Sequence, residues 1–304
     1  MSGGGVLRNW LLSDGRSRLA ASFLLAVAIL AIAAPLVARY SPTAQNAMPF
    51  TGISWDHWLG TDDLGRDVWA RLVYGARASL LAAFIAVGIA VGIGVPIGLV
   101  AGFRGGWVDA VLMRIVDTFL SFPGIILAIA ITAVLGSGLM NAMVAVGIVF
   151  SPSIARLMRG QVLVTRERGY VEAAVSFGSP SWWIVVRHIV PNAIQPVVIQ
   201  ATFMLGLAVL AEASLSFVGL GVQYPNPSFG VMLRSAAQFT SLNPGGVYPP
   251  GLAIALLVLA FNALGDSLRD VLSPATSTRR RIGRRANRRP APNPEPNGAS
   301  PRDN

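Results

Sequence analysis

Three aspartates lie within six residues of one another, at Asp62, Asp63 and Asp67. Clustered carboxylates can bind calcium, but this spacing is not that of an EF-hand loop, so we do not expect a calcium site. The same acids suit the start of a helix, where unpaired backbone N–H groups favour negative charge. We therefore expect Thr61 to cap a helix in this segment.

Such a helix would contain two oppositely charged i,i+4 pairs, Asp62–Arg66 and Asp67–Arg71. Its apolar side chains between positions 68 and 76 would lie along one face. This pattern predicts an interfacial helix that leads into a membrane span.

The residue types that are missing exclude several kinds of catalysis. All 24 basic residues apart from histidine are arginine, and the chain contains no lysine and no cysteine. It therefore has no GK[ST] phosphate-binding loop, no lysine Schiff base and no thiolate nucleophile. Its two histidines, His57 and His188, are too few for a site with three imidazole ligands. We expect no catalytic residue, no metal and no cofactor in this chain.

The composition predicts that the chain consists largely of membrane spans, which would position the charged residues described above. Of the 304 residues, 53% are hydrophobic and only 12% are charged. A run of about 20 apolar residues crosses the hydrocarbon core of a bilayer. Six runs qualify: Leu19–Ala38, Ser79–Ala101, Leu112–Leu135, Leu139–Ala155, Ala193–Ala211 and Val247–Gly265.

The first run resembles a signal peptide because Arg16 and Arg18 precede it. It is, however, longer than the roughly 7–15 residues of a signal-peptide core. We therefore expect an uncleaved anchor at 19–38.

The distribution of arginine predicts the orientation, because basic loops stay in the cytoplasm. With the N-terminus inside, the inner segments hold eleven arginines and the outer segments five, before the tail is counted. The net charge of +10 comes mostly from that tail, which holds eight arginines from Arg279 onward. We therefore expect no nucleic-acid partner.

The predicted organisation is a cytoplasmic N-terminus at 1–18, the anchor, and an extracytoplasmic loop with its interfacial helix at 39–78. A core at 79–274 follows, with a cytoplasmic loop at 156–192, and a disordered Arg-rich cytoplasmic tail at 275–304. Both termini are expected in the cytoplasm.

The inner loop contains signals for two short helices. Residues 172–175 fit a first helix that Gly178 ends at its C′ position, and Ser179 with Pro180 fits the N-cap and first residue of a second. Taken alone, the pattern also fits an amphipathic hairpin on the lipid surface.

The spacing of Glu172-Ala173-Ala174, Gly178 and His188-Ile189-Val190-Pro191 resembles the EAA loop of ABC-importer permeases. In that family the loop forms a coupling helix that binds a cytoplasmic ATPase. Two departures are Gly169, where the family usually has an acid, and Val175-Ser176-Phe177, where an Arg-containing run is usual. The resemblance assigns ATPase coupling to Arg168, Tyr170, Glu172, Ala173, Ala174 and Gly178.

Three other stretches and one short motif are similar to signatures of the dipeptide/oligopeptide/nickel group of these permeases. The stretches are 59–67, 212–221 and 261–270, and the short motif is Arg114–Asp117. The first contributes an extracytoplasmic signature at Gly60, Thr61, Asp62, Gly65, Arg66 and Asp67. The resemblance implies an all-α type I permease of the C-type, with an extra first span before a five-helix core.

Polar groups inside the membrane are costly and therefore informative. Arg114 and Asp117 are three residues apart on one helix, and we expect them to pair. Glu212 either lines the outer mouth of the pathway or caps the loop that follows it. In the second span, Gly88/Gly92 and Gly94/Gly98/Gly102 predict close helix contacts, and Pro96 predicts a kink.

The expected function is that of a permease subunit in an ATP-driven importer of di- or oligopeptides in the bacterial cell membrane. Its expected partners are a second homologous permease, cytoplasmic ATP-binding subunits that hold ATP and Mg, an extracytoplasmic substrate-binding protein and the lipid bilayer. A nickel, haem or glutathione importer is the alternative within the family. A self-contained secondary transporter or a structural scaffold would explain the spans but not the coupling loop.

Overall fold

The computed structural model describes residues 15–272, and the regular structure within that range is helical. The expected tail at 275–304 and the first 14 residues lie outside the described range. The helices are α1 Gly15–Ile32, α2 Ala34–Val37, α3 Val68–Arg104, α4 Gly106–Leu120, α5 Gly124–Leu135, α6 Leu139–Arg166, α7 Gly169–Ser176, α8 Ser181–Ile184, α9 Val190–Val218, α10 Phe229–Gln238 and α11 Tyr248–Leu272. A π-helical turn, Val185–Ile189, joins α8 to α9, and a 3-10 turn, Pro244–Val247, precedes α11.

Five helical segments in the described range are long and apolar enough to cross a membrane, and a sixth span is possible if a bent pair counts as one. The bent pair is α4 and α5, which meet at 93°. The third apolar run is therefore not one straight helix as expected. Pro123 explains the break, because it donates no backbone hydrogen bond and disfavours helical backbone at the residue before it.

The second span begins earlier than its apolar run. Helix α3 is continuous over 37 residues from Val68, so residues 68–76 are its first turns and not a separate interfacial helix. Asp67 caps this helix with a hydrogen bond from Ala70 N to Oδ2 of 2.7 Å. The expectation that Thr61 is the cap was wrong, since residues 62–66 form a turn closed by an antiparallel β-bridge between Thr61 and Asp67.

Helices α3 and α6 pack closely along glycines of α3. A Cβ atom at Gly94 would lie 2.6 Å from Ser151 O, and one at Gly102 would lie 2.8 Å from Val162 Cβ. The helix backbones approach this closely because glycine has no side chain. The predicted close helix contact is present at Gly94, Gly98 and Gly102. At Gly88 and Gly92, no atom of the described chain lies within 4 Å of the Cβ that a side chain would add.

Helix α9 is central to the arrangement, because it packs against α3, α6 and α11. Helix α1 packs against α11 and α3 at the side of this core.

Candidate functional site: the coupling projection and the buried outer network

The short helix α7 has one buried and one exposed face. Val171 is 3% exposed and Ala174 9%, and both belong to the hydrophobic core. Tyr170, Glu172 and Ala173 are exposed. The helix is therefore held by its inner face and offers the acidic residue and the small residue beside it to solvent.

Gly178 ends α7 as its position predicted. Its φ is +73°, in the left-handed region that favours glycine. Gly178 N donates to Val175 O at 2.9 Å and Ser179 N donates to Ala174 O at 3.1 Å, which together form a Schellman motif. Because Ser179 closes α7, Pro180 and not Ser179 occupies the N-cap of α8, one residue later than expected.

His188 joins α7 to the base of α9. Its ring lies 5.9 Å from the ring of Tyr170 and 4.8 Å, edge-on, from that of Trp183. His188 itself lies in the π-helical turn that continues into α9. This π-helical turn was not predicted, because the sequence offers no local signal for it.

Large apolar side chains surround the exposed face of α7. Val175 is 59% exposed, Phe177 87% and Trp182 67%. Exposed apolar groups clustered beside a charge are typical of a protein-binding surface. We call Glu172, Ala173, Val175, Phe177 and Trp182 the coupling surface. Arg168, another predicted coupling residue, is exposed immediately before α7.

Asp62 organises the loop between α2 and α3. Its Oδ1 accepts hydrogen bonds from Leu64 N and Arg66 N, both at 3.0 Å. Its Oδ2 accepts from Arg66 Nε at 2.7 Å and lies 3.3 Å from Arg71 Nε. The structure thus forms the predicted Asp62–Arg66 pair and adds Arg71 to it.

The other predicted pair, Asp67–Arg71, does not form. Asp67 Oδ1 lies 2.9 Å from His57 Nδ1 instead, while Arg71 turns to Asp62 and donates to Pro42 O at 3.0 Å. Asp67 does not pair with Arg71 because its two carboxylate oxygens already contact His57 Nδ1 and Ala70 N.

The remaining signature residues shape the loop. Thr61 Oγ1 donates to Met48 O at 2.7 Å and accepts from Thr51 N at 2.8 Å. Gly60 and Gly65 both have positive φ, and a side chain at Gly65 would collide with Ala47 O.

Hydrogen bonds to protein groups engage the carboxylates of Asp62, Asp63 and Asp67 in this loop. Asp63 Oδ1, for example, accepts from Ser235 Oγ of α10 at 2.5 Å. Within residues 15–272, no group of three or more histidine, aspartate or glutamate side chains is arranged to hold a metal ion.

Glu212 of α9 is completely buried, on the side of α9 that faces α3. Ser79 Oγ donates to its Oε2 and Ser216 Oγ to its Oε1, both at 2.7 Å. Ser216 Oγ also accepts from Val222 N at 3.0 Å, so the carboxylate fixes the loop after α9 through that serine. Of the two roles considered for Glu212, this geometry favours the contact with the loop.

Charged residues of α4 pair with arginines of α6. Asp117 of α4 pairs with Arg156 of α6 at 2.5 Å, and not with Arg114 as expected. Arg159 Nη2 donates to Asp109 Oδ2 at 2.6 Å in a second bridge between the same helices. Arg114 is exposed.

A family model described as "binding-protein-dependent transport system inner membrane component" matches residues 94–278. The chain belongs to this family. We refer to it below as the permease.

Two similar proteins are named for the cargo that they transport. The permease is 44% identical over 247 residues to the dipeptide transport system permease protein DppC of Alkalihalophilus pseudofirmus, covering 81% of each chain. It is also 44% identical over 259 residues to the glutathione transport system permease protein GsiD of Escherichia coli O6:K15:H31, covering 84% of this chain and 85% of the relative.

Its fold is similar to that of a chain from the MetNI methionine ABC transporter in inward-facing conformations. The TM-score is 0.54 at 25% identity, over 67% of the permease and 97% of that chain. The expected all-α type I fold is therefore confirmed, as is the role of a non-catalytic, multi-pass subunit of an ABC importer.

Proposed function

We propose that the permease imports di- or oligopeptides and that the coupling surface transmits ATP-driven motion to its spans. The division of α7 into a fixed face and an exposed face is the observation that carries this proposal. A helix held by Val171 and Ala174 moves with the core when a partner pushes on Glu172 and Ala173.

The path of this motion runs along α9. His188 contacts Tyr170 on α7, and the π-helical turn that contains it continues directly into α9. Helix α9 reaches Glu212 at its other end, where the carboxylate is bonded to α3. A tilt of α7 would therefore move α9 against α3 and α6, as a rocking transition between two states requires.

The partners follow from this assignment. Cytoplasmic ATP-binding subunits hold ATP and Mg and contact the coupling surface, a second permease completes the pathway, and an extracytoplasmic binding protein delivers cargo. Both termini lie in the cytoplasm of a bacterial cell, which the arginine distribution supports.

Peptide cargo is supported by the relatives that are named for dipeptide and glutathione transport. Glutathione is itself a tripeptide, so both names describe small peptides. Nickel and haem complexes are the competing cargo.

The coupling proposal is tested with the double variant Glu172→Lys, Ala173→Arg in the reconstituted transporter. We expect loss of ATP-driven uptake, because a reversed charge and a long side chain oppose docking at this surface. Asp56→Lys, which reverses an exposed charge in the loop between α2 and α3, is the control and should retain uptake. Normal uptake by the double variant would refute the coupling role.

The cargo is tested separately by mass spectrometry of the ligand retained by the associated binding protein. A short peptide supports the proposal. If that protein retained only a metal chelate or haem, the peptide assignment would be wrong while the coupling assignment would stand.

A further inference from the structure

Helix α10 is fixed to the end of α9 that carries Glu212. A Cβ atom at Gly230 of α10 would collide with Ala213 O and lie 2.7 Å from Ser216 Cβ. Ser228, the N-cap of α10, is completely buried. Because backbones in such close contact have no room to slide past each other, α10 and this end of α9 move together.

The loop between α2 and α3 is fixed to α3 instead. Asp67 Oδ2 accepts a hydrogen bond from Ala70 N, which caps α3, and Asp62 Oδ2 lies 3.3 Å from Arg71 Nε of the same helix. The loop and the first turns of α3 therefore form a second unit.

Two polar contacts join these units where solvent reaches them. Ser235 Oγ of α10 donates a hydrogen bond of 2.5 Å to Asp63 Oδ1 of the loop. The guanidinium of Arg66 lies 5.4 Å from the centre of the Tyr224 ring, in the segment between α9 and α10. Tyr224 is 62% exposed and the Asp63 side chain 16%. We call Asp63, Arg66, Tyr224 and Ser235 the rim contacts.

A third contact between the same units is inaccessible to water. Ser79 and Glu212 are completely buried, and their hydrogen bond joins α3 to α9. Breaking it would leave both polar groups unpaired, whereas water replaces a partner that is lost at the rim. Rotation of α9 against α3 therefore costs least when the buried contact stays in place and the rim contacts open.

We propose that the rim contacts form a latch, which opens when α9 tilts about the Glu212–Ser79 contact. This inference rests on the proposed function, in which a partner ATPase tilts α9 through α7. The closed latch stabilises the present arrangement of α9 and α3 by a hydrogen bond to a charged acceptor and a cation–π contact. It therefore slows the switch between states on which ATP hydrolysis depends.

The latch is tested by ATP hydrolysis of the reconstituted transporter without binding protein or peptide. Ser235→Ala removes the hydroxyl that bonds Asp63 and adds no bulk. We expect hydrolysis to rise roughly two- to tenfold, the range for one lost hydrogen bond. A contact that only supported the fold would lower it. Thr240→Val, which removes a hydroxyl bonded to Ala236 O and Ala237 O of α10, is the matched control and should hydrolyse ATP at the wild-type rate.

A cross-link tests the motion itself, since the chain contains no cysteine of its own. In the variant Asp63→Cys, Ser235→Cys, a short bifunctional thiol reagent with a reducible linker holds the latch closed. We expect cross-linking to abolish ATP-driven uptake and a reductant to restore it. Each single-cysteine variant, treated in the same way, should show no such reversible loss.

Unchanged or lower hydrolysis in Ser235→Ala would overturn the latch, as would full uptake by the cross-linked transporter. Adding Glu172→Lys and Ala173→Arg to Ser235→Ala separates the latch from the coupling proposal. If the coupling surface transmits the motion, this triple variant loses the rise in hydrolysis. A rise that persisted in the triple variant would contradict the coupling proposal, while the latch would stand.

Discussion

Ser79 on α3 donates a hydrogen bond of 2.7 Å to Glu212 on α9, and both side chains are completely buried. The two residues are 133 positions apart in the sequence. This contact joins two membrane-spanning helices at a point where water cannot replace a lost partner.

Glu212→Ala should destabilise the permease by about 2–4 kcal/mol. The change leaves the hydroxyls of Ser79 and Ser216 without their acceptor and opens a cavity. We expect a clearly lower melting temperature for the purified protein in detergent.

Ser214→Ala is the control for Glu212→Ala, because within residues 15–272 Ser214 Oγ donates a hydrogen bond only to Leu210 O of its own helix. We expect the melting temperature of Ser214→Ala to differ little from that of the wild type. If both variants melted at the wild-type temperature, the buried network would not stabilise the fold.

Glycines of α3 that look equivalent in sequence should respond differently to substitution. Gly98→Ala would place a Cβ 2.7 Å from Met158 Cβ, so α3 and α6 must separate, at a cost of about 1–3 kcal/mol. Gly92→Ala meets no atom of the described chain within 4 Å and should be neutral or slightly stabilising. Thermal melting of the two variants distinguishes these outcomes. Equal melting temperatures would show that the close contact is absent.

Asp67→Ala should remove two interactions at the start of α3. It loses the helix cap at Ala70 N, which contributes about 1–2 kcal/mol, and the contact with His57. Asp67→Ser keeps a capping oxygen but cannot reach both groups, so its stability should be intermediate.

Asp56→Ala, at an exposed position of the same loop, should melt like the wild type. If Asp67→Ser melted at the same temperature as Asp67→Ala, the contact with His57, and not the helix cap, would be the stabilising interaction.

Local signals in the sequence predicted local features correctly. The end of α7 at Gly178 follows from the left-handed backbone that a Schellman motif requires, which glycine adopts without strain. The Asp62–Arg66 pair also forms as predicted, but in the turn before α3 and not on a helix.

Contacts between distant segments could not be predicted in this way. Asp117 pairs with Arg156, which is 39 residues away, and not with its helix neighbour Arg114. Several partners are available to a charge in a folded bundle, and only the packing of α4 on α6 selects one. Glu212 and its serines are a second case, since Ser79 lies on another span.

The end of α7 should control how efficiently ATP hydrolysis is coupled to transport. Gly178→Ala forces a side chain into a backbone with φ +73°, at a cost of about 1–2 kcal/mol, although no atom of the described chain lies within 4 Å of the new Cβ. The cost therefore arises from the turn alone and should tilt or fray the helix that carries Glu172. In the reconstituted transporter we expect more ATP hydrolysed for each cargo molecule imported. Gly178→Asn should lie between the wild type and Gly178→Ala, because asparagine tolerates left-handed backbone better than alanine does.

Gly169→Ala is the matched control, since it too meets no atom of the described chain within 4 Å and its φ is not positive. It should leave the ratio of ATP hydrolysed to cargo imported unchanged, or lower it slightly by stabilising α7. If the ratio of ATP hydrolysed to cargo imported rises in the order wild type, Gly178→Asn, Gly178→Ala, it depends on backbone strain at residue 178. A change in surface chemistry would instead affect the Gly169 and Gly178 variants alike. The same ratio for Gly178→Ala and Gly169→Ala would instead show that the orientation of α7 does not limit transport.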